Sequence, residues 1–392
     1  MKKIILSAAS LAVAAVASVS VAPTTSEAIP AFARQTGSAC LACHFQSFPT
    51  LGSYGRAFKM NAFTDVGDQG LIEDDHLSLP NVLNMSIVFR PNLVSTDTTV
   101  AGVTTTAETL DVPADPVILI GGRAGENTGF FVEIDTTGGG FANTQLLNQY
   151  DMGDLKVGWS YFNSGFGEDA GMQLMSVWGQ HGGLMGGKGL SINQVMSKTN
   201  GDVAGFSAQI GNETWMASLG LIDPTANRGT TLSLAPVVRA NYFLDVADFE
   251  LGFGVIAVSG STGGSNAIPT IDAKRTGIDF QAQGEMNDMQ VGVYADWATA
   301  PAGSVTVANG YNASTVDDRT GYSFRATLKP THNIVLLAGV GQDKTGAVTI
   351  DKTLVGFEYE VYQNFVVAVT QSSDDDGTTK NDTTLIDIEL LL

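Results

Sequence analysis

From Leu83 to the C-terminus the chain alternates apolar and polar residues in short runs. Leu83, Met85, Ile87 and Phe89 alternate with Asn84, Ser86 and Arg90. Phe249, Leu251, Phe253 and Val255 alternate with Glu250, Gly252 and Gly254, and Ile278, Phe280 and Ala282 with Asp279, Gln281 and Gln283. The same holds for Met289 to Trp297, for Tyr322 to Leu328, and for Thr384, Ile386, Ile388 and Leu390 around Asp387 and Glu389. Period two over about ten residues, repeated with turns between, predicts the strands of a transmembrane barrel. A soluble sandwich also alternates on its inner faces, but seldom runs this long as one unit.

The connections sharpen the expectation. Beyond Trp215 they alternate between long (222–233, 260–275, 298–320, 342–352, 373–382) and short (245–248, 286–288, 329–333, 362–364). Long outer loops and short periplasmic turns have this rhythm, and about 20 residues per strand and connection predicts about 16 antiparallel strands. Met172–Trp178 and Gly189–Ser197 both read as weak strands, the second supported by the turn signal Asn200-Gly201. Counting both gives an odd number, so part of 172–202 is read as loop. Trp159, Tyr161, Trp215, Tyr242, Trp297 and Tyr359 near strand ends suit interfacial girdles. Glu133, Asp135, Asp279, Glu285, Asp296, Glu358 and Glu360 are expected to face inward.

The N-terminal part has another character. Met1-Lys2-Lys3, the apolar run Ile4 to Ala22, and Ser26-Glu27-Ala28 predict a signal peptide cut after Ala28. Between Thr50 and Ala62, Leu51, Tyr54 and Phe58 fall on one helical face. Gly52 and Gly55 there would let backbone approach a ligand closely. The fold expected is mainly β: a short α-helical domain over 29–80, then a barrel over 81–392. A domain that small buries little core alone, and in a wide barrel it would serve as a lumen plug.

Composition narrows the function. The 392 residues carry 20 Lys and Arg against 40 Asp and Glu, a net charge of −20, which excludes a nucleic-acid partner. Only 15% of residues are charged, as a lipid-facing barrel requires. Two cysteines cannot staple a disulfide scaffold.

Those two cysteines are Cys40 and Cys43, and His44 follows directly. Cys-Leu-Ala-Cys-His is the C-x-x-C-H pattern of covalent c-type haem attachment. Two thiols one turn apart reach two vinyl groups of one porphyrin, and the adjacent imidazole ligates its iron. A zinc site would need further ligands nearby, and a redox dithiol an alternating βα context; the sequence offers neither. Met60, Met85, His76 and His181 remain open as sixth ligand. Met60 is favoured, because it follows Phe58 on the same helix while Met85 alternates with lipid-facing residues. Arg34, Arg56 and Lys59 form a basic cluster suited to haem propionates or to docking an acidic carrier.

Ile29-Pro-Ala-Phe-Ala-Arg-Gln-Thr-Gly37, the C-x-x-C-H-Phe45 run, Phe48-Pro49, Gly55-Arg-Ala-Phe-Lys59 and Leu77-Ser-Leu-Pro80 resemble the outer-membrane fused cytochrome–porin family. Members are known as iron oxidases of iron-oxidising bacteria. The resemblance covers roughly residues 29–80 and implies oxidation of extracellular Fe(II) at one covalent c-type haem. It further implies an outer-membrane location in a Gram-negative cell and a periplasmic electron carrier, a soluble cytochrome, as acceptor. A porin, or a conduit for another donor with a structural or sensing haem plug, is the alternative.

Overall fold

The computed structural model describes residues 30–112, 114, 116–136, 140–164, 168–175, 190–197, 203–224, 233–263 and 270–392. The signal peptide expected over 1–28, His181 and Asn200-Gly201 lie outside the described residues.

Sixteen antiparallel strands close into one barrel. A two-stranded hairpin, β1 (Leu71–Asp74) and β2 (Leu77–Pro80), precedes the wall. The first wall strand comes as β3 (Met85–Phe89) and β4 (Asn92–Val100), broken at Arg90-Pro91, where proline lacks the N–H a ladder needs. The second comes as β5 (Val103–Asp111) and β6 (Val117–Gly125). The last strand, Thr379–Leu391, closes the ring by pairing with both β3 and β4, while β3 pairs with β6.

Burial follows the alternation with its polarity reversed from a soluble protein. In Val203–Gly211, Phe206 and Ile210 stand exposed while Ser207 and Gln209 are buried. Phe253, Val255, Ile278, Phe324 and Leu336 likewise face outward, and Asp279, Gln281, Asp296 and Arg325 inward. Apolar outside and polar inside is what lipid on one side and a lumen on the other demand. Of the expected girdle, Trp159, Tyr161, Tyr242 and Trp297 stand on the outer face. Glu133, Asp279, Asp296 and Glu358 are buried inside as expected, whereas Glu285 is exposed beside a turn.

The four short turns fall where expected, at 247–248, 287–288, 332–333 and 363–364. Short turns of this kind mark the end that faces the periplasm in barrels of this class. Two connections expected to be long are tight turns. Ile334–Thr345 runs into Val348–Tyr362 through Gly346-Ala347, and Phe365–Asp375 into Thr379–Leu391 through 376–378. Gly346 and Gly377 take positive φ, which suits glycine, and the polar strand ends simply project past the apolar band. The doubtful stretch 172–202 contributes no strand among its described residues. It holds an irregular run over 173–175, where Gln173 takes φ 53°, and the short helix Ile192–Met196.

The lumen is filled from both ends. Three short helices, α1 (Pro30–Thr36), α2 (Cys40–Cys43) and α3 (Ser53–Met60), occupy the half at the short-turn end. Gly37, at φ 69°, ends α1 with its N–H donating to the Ala33 carbonyl, a left-handed stop glycine tolerates. The described pieces of the connection between Lys156–Ser164 and Val203–Gly211 lie inside the wall: residues 168–175, and 190–197, which carries α4 (Ile192–Met196). Ser191 caps α4 by accepting from the Gln194 N–H, and Asp296 of the wall accepts from the Asn193 N–H at 2.6 Å.

Candidate functional site

The plug is pinned to the wall all round. Gln35 Nε2 donates to the carbonyls of Phe63 and Asp65, and its Oε1 accepts from the Arg123 N–H on β6. Gln46 Nε2 donates to the Gln290 carbonyl, Thr327 Oγ1 donates to Gln46 Oε1, and Lys329 Nζ donates to the Gln46 carbonyl. Arg56 pairs with Glu250 and lies over the Phe243 ring, 4.5 Å from its centroid.

Helices α2 and α3 meet at Gly55, where a Cβ would overlap the Cys43 carbonyl oxygen. The Gly52 N–H donates to that same carbonyl at 2.9 Å. Both glycines therefore serve helix-to-helix contact behind the C-x-x-C-H motif, and Gly55 also lines the space in front of it. That space is a cavity of about 140 Å3 between the plug and the inner wall of β3, β6 and their neighbours. Cys43 and His44 form one side. Phe32, Phe48, Phe58, Phe63 and Phe131 contribute to its apolar surface, with Leu119 and other aliphatic residues beside them. Phe32 stacks on Phe63 at 4.9 Å and meets Phe58 edge-on at 5.2 Å, which holds the aromatic wall together. Lys59, Glu133, Gln145, Gln173 and Glu389 bring polar atoms to the remaining edge.

The imidazole of His44 is buried, and its Nδ1 makes no hydrogen bond. Burial pushes its pKa down to about 4, aided by Lys59 and opposed by the backbone of Pro49 and Thr50. The ring therefore stays neutral, the form that ligates a metal. Phe48 holds it edge-on at 5.0 Å. Burial also raises the Cys43 thiol to about 11. Cys40 is buried one helical turn away, beside Ala33, and does not line the cavity. No disulfide joins the two. Among the described residues no group of three or more His, Cys, Asp or Glu side chains could hold a metal ion, so the zinc alternative gains nothing. An apolar space with a neutral imidazole and the Cys43 thiol on one wall offers the donor chemistry that the motif's porphyrin requires.

The expected accessory residues are dispersed. Met60 is 2% exposed and packs with Phe58, Ala62 and Phe63 in the apolar cluster, away from the cavity lining. Met85 stands half-exposed on the outer face of β3. His76 lies in the turn between β1 and β2 and lines a separate polar cleft with Glu73, Asp74, Asp75 and Arg123. Arg34 is exposed and donates to the Met85 carbonyl, and Arg56 is committed to Glu250. Of the basic cluster, Lys59 alone reaches the cavity. It is buried, donates to Gln173 Oε1 at 3.2 Å, and is brought down to about 7 by burial, with Asp169 pulling the other way.

Sequence reasoning missed Gln173 and the aromatic Phe32–Phe63 pair. Gln173 sits on the inward loop, and no local periodicity reveals a loop that turns into the lumen. Phe63 follows α3 at φ 58°, outside any helical face.

No protein-family model matches the chain, and neither does any curated protein sequence. Solved structures do match in fold. The anion-selective porin from Comamonas acidovorans aligns at a TM-score of 0.51 and 10% identity, over 79% of this chain and 100% of that one. The outer membrane channel DcaP of Acinetobacter baumannii aligns at 0.49 and 11%, over 83% and 100%. A loop L8 deletion mutant of OmpT from Vibrio cholerae aligns at 0.48 and 13%, over 79% and 99%. At such identities the likeness is one of architecture: a porin-like barrel.

Proposed function

We propose that this protein is an outer-membrane cytochrome–porin that oxidises extracellular Fe(II) and passes single electrons to a soluble periplasmic cytochrome. The observation that carries the reading is the C-x-x-C-H segment set against an apolar cavity inside a porin-like barrel. Haem bound there supplies a one-electron store, which matches a one-electron donor such as Fe(II). Cys40 and Cys43 would hold the porphyrin and His44 its iron. The aromatic wall excludes water, and the inward loop over 168–175 covers the plug from the outer side. Keeping iron outside while only the electron moves inward leaves the insoluble ferric product outside the cell.

The test is spectroscopic. The protein is expressed with c-type haem maturation, purified oxidised, and mixed with Fe(II) without oxygen at neutral pH. The haem is expected to become reduced, and His44→Ala to abolish reduction while the barrel still assembles. A haem that stays oxidised removes the iron-oxidase reading, and leaves the conduit to another donor in its place.

A further inference from the structure

We propose that Lys59 is the second axial ligand of the haem iron held by His44. The inference rests on the haem reading above and deepens it, since the sequence offered only methionine and histidine for this role.

Among the described residues lining the cavity, none is a methionine and His44 is the one histidine. The nitrogen and carboxylate donors left in that lining are Lys59, Gln145, Gln173, Glu133 and Glu389. Amides are poor ligands for haem iron, and Glu133 and Glu389 are each already engaged in an interaction of their own. Lys59 is placed by α3 one turn beyond Gly55, the residue in contact with the Cys43 carbonyl. The amine on α3 and the imidazole on the residue that directly follows α2 therefore open on one space.

Lys59 also poses a problem that coordination solves. The residue is 7% exposed, no carboxylate among the described residues lies within ion-pair distance, and one hydrogen bond to Gln173 serves its three possible donors. A buried ammonium with no carboxylate in direct contact, and only the more distant Asp169 to offset its charge, is costly. An amine bound to iron carries no such charge, and its lone pair is used.

The experiment compares wild type, Lys59→Ala and Lys59→Met as purified holoproteins. Covalent haem is quantified after denaturation, and the ferric spin state is read by paramagnetic resonance and visible absorption. Wild type is expected to be low-spin with two nitrogen ligands and no sulfur-to-iron charge-transfer band. Lys59→Ala should become high-spin with haem content unchanged, and added imidazole should return it to low-spin. Lys59→Met should show the sulfur band and a higher reduction potential, as methionine ligation raises it.

Haem present but Lys59→Ala still low-spin overturns the assignment and leaves the haem reading standing. Haem lost from Lys59→Ala with the spin state of the remainder unchanged makes Lys59 a propionate partner, and also overturns it. Wild type without covalent haem overturns both. Should Lys59→Ala fail to assemble, shown by loss of heat-modifiable gel mobility, Lys59→Met decides: a sulfur band supports the proposal and an unchanged nitrogen signature sinks it.

Discussion

Lys59 of the plug donates to Gln173 of the inward loop at 3.2 Å, and this contact joins two parts of the lumen that have no sequence connection. Around it Phe58 and Met60 from below share one apolar cluster with Met172, Leu174 and Met175 from above. The cavity beside His44 is thus closed by packing between a plug and a loop, each of which would be marginal alone.

The contact between α2 and α3 has no spare room. Gly55→Ala should force the helices apart at the Cys43 carbonyl and destabilise the plug by about 1–3 kcal/mol, the usual cost of overpacking. Less covalent haem per assembled barrel is expected, measured by haem staining against barrel content. Haem incorporation equal to wild type would show that the contact tolerates the methyl group.

Arg56 anchors the plug through Glu250 and the Phe243 ring. Arg56→Ala leaves the carboxylate of a largely buried pair without its partner, at a cost of up to about 3 kcal/mol. The plug should then release more often. Larger and noisier conductance in planar bilayers is the expected readout, together with faster protease cleavage between α1 and β1.

The inward loop is held at Asp169, which accepts from Arg239 Nε at 3.1 Å. Burial raises the Asp169 carboxyl to about 6 from its ordinary 3.8. The folded protein therefore binds that proton more tightly than the unfolded chain does. Its contribution to stability is fully present below about pH 4 and is lost as pH rises through about 6. Proteolysis of the loop should accelerate over that window in wild type. Asp169→Asn, which cannot ionise, should flatten the dependence.

The faces of the wall can be tested with one pair of neighbours. Phe324 points outward, whereas Arg325 points into the lumen, 4.6 Å from the Tyr294 ring. Phe324→Arg places a charge in lipid and should cost about 2–4 kcal/mol if it lies near the bilayer centre. Denaturant unfolding from vesicles measures it. A change under about 0.5 kcal/mol, the usual range for exposed surface sites, would contradict the outward placement.

Period-two alternation determined the barrel. A strand in a wall between lipid and lumen must change polarity at every residue, so Phe253 or Ile278 declares its face without knowing its neighbours. The spacing of Cys40, Cys43 and His44 was equally local, because covalent attachment depends on one helical turn. What the sequence could not determine was anything set by surfaces meeting across the lumen. Loop length misled at 342–352 and 373–382, since polar strands that project beyond the membrane look like loops until their pairing is known. Met60 was the natural ligand from its place on a helix, yet packing turned it into the apolar cluster and brought Lys59 to the cavity instead. The stretch around Gln173 read as a weak strand because its inward fold is fixed by contacts with the plug and wall, and such contacts leave no period in the chain.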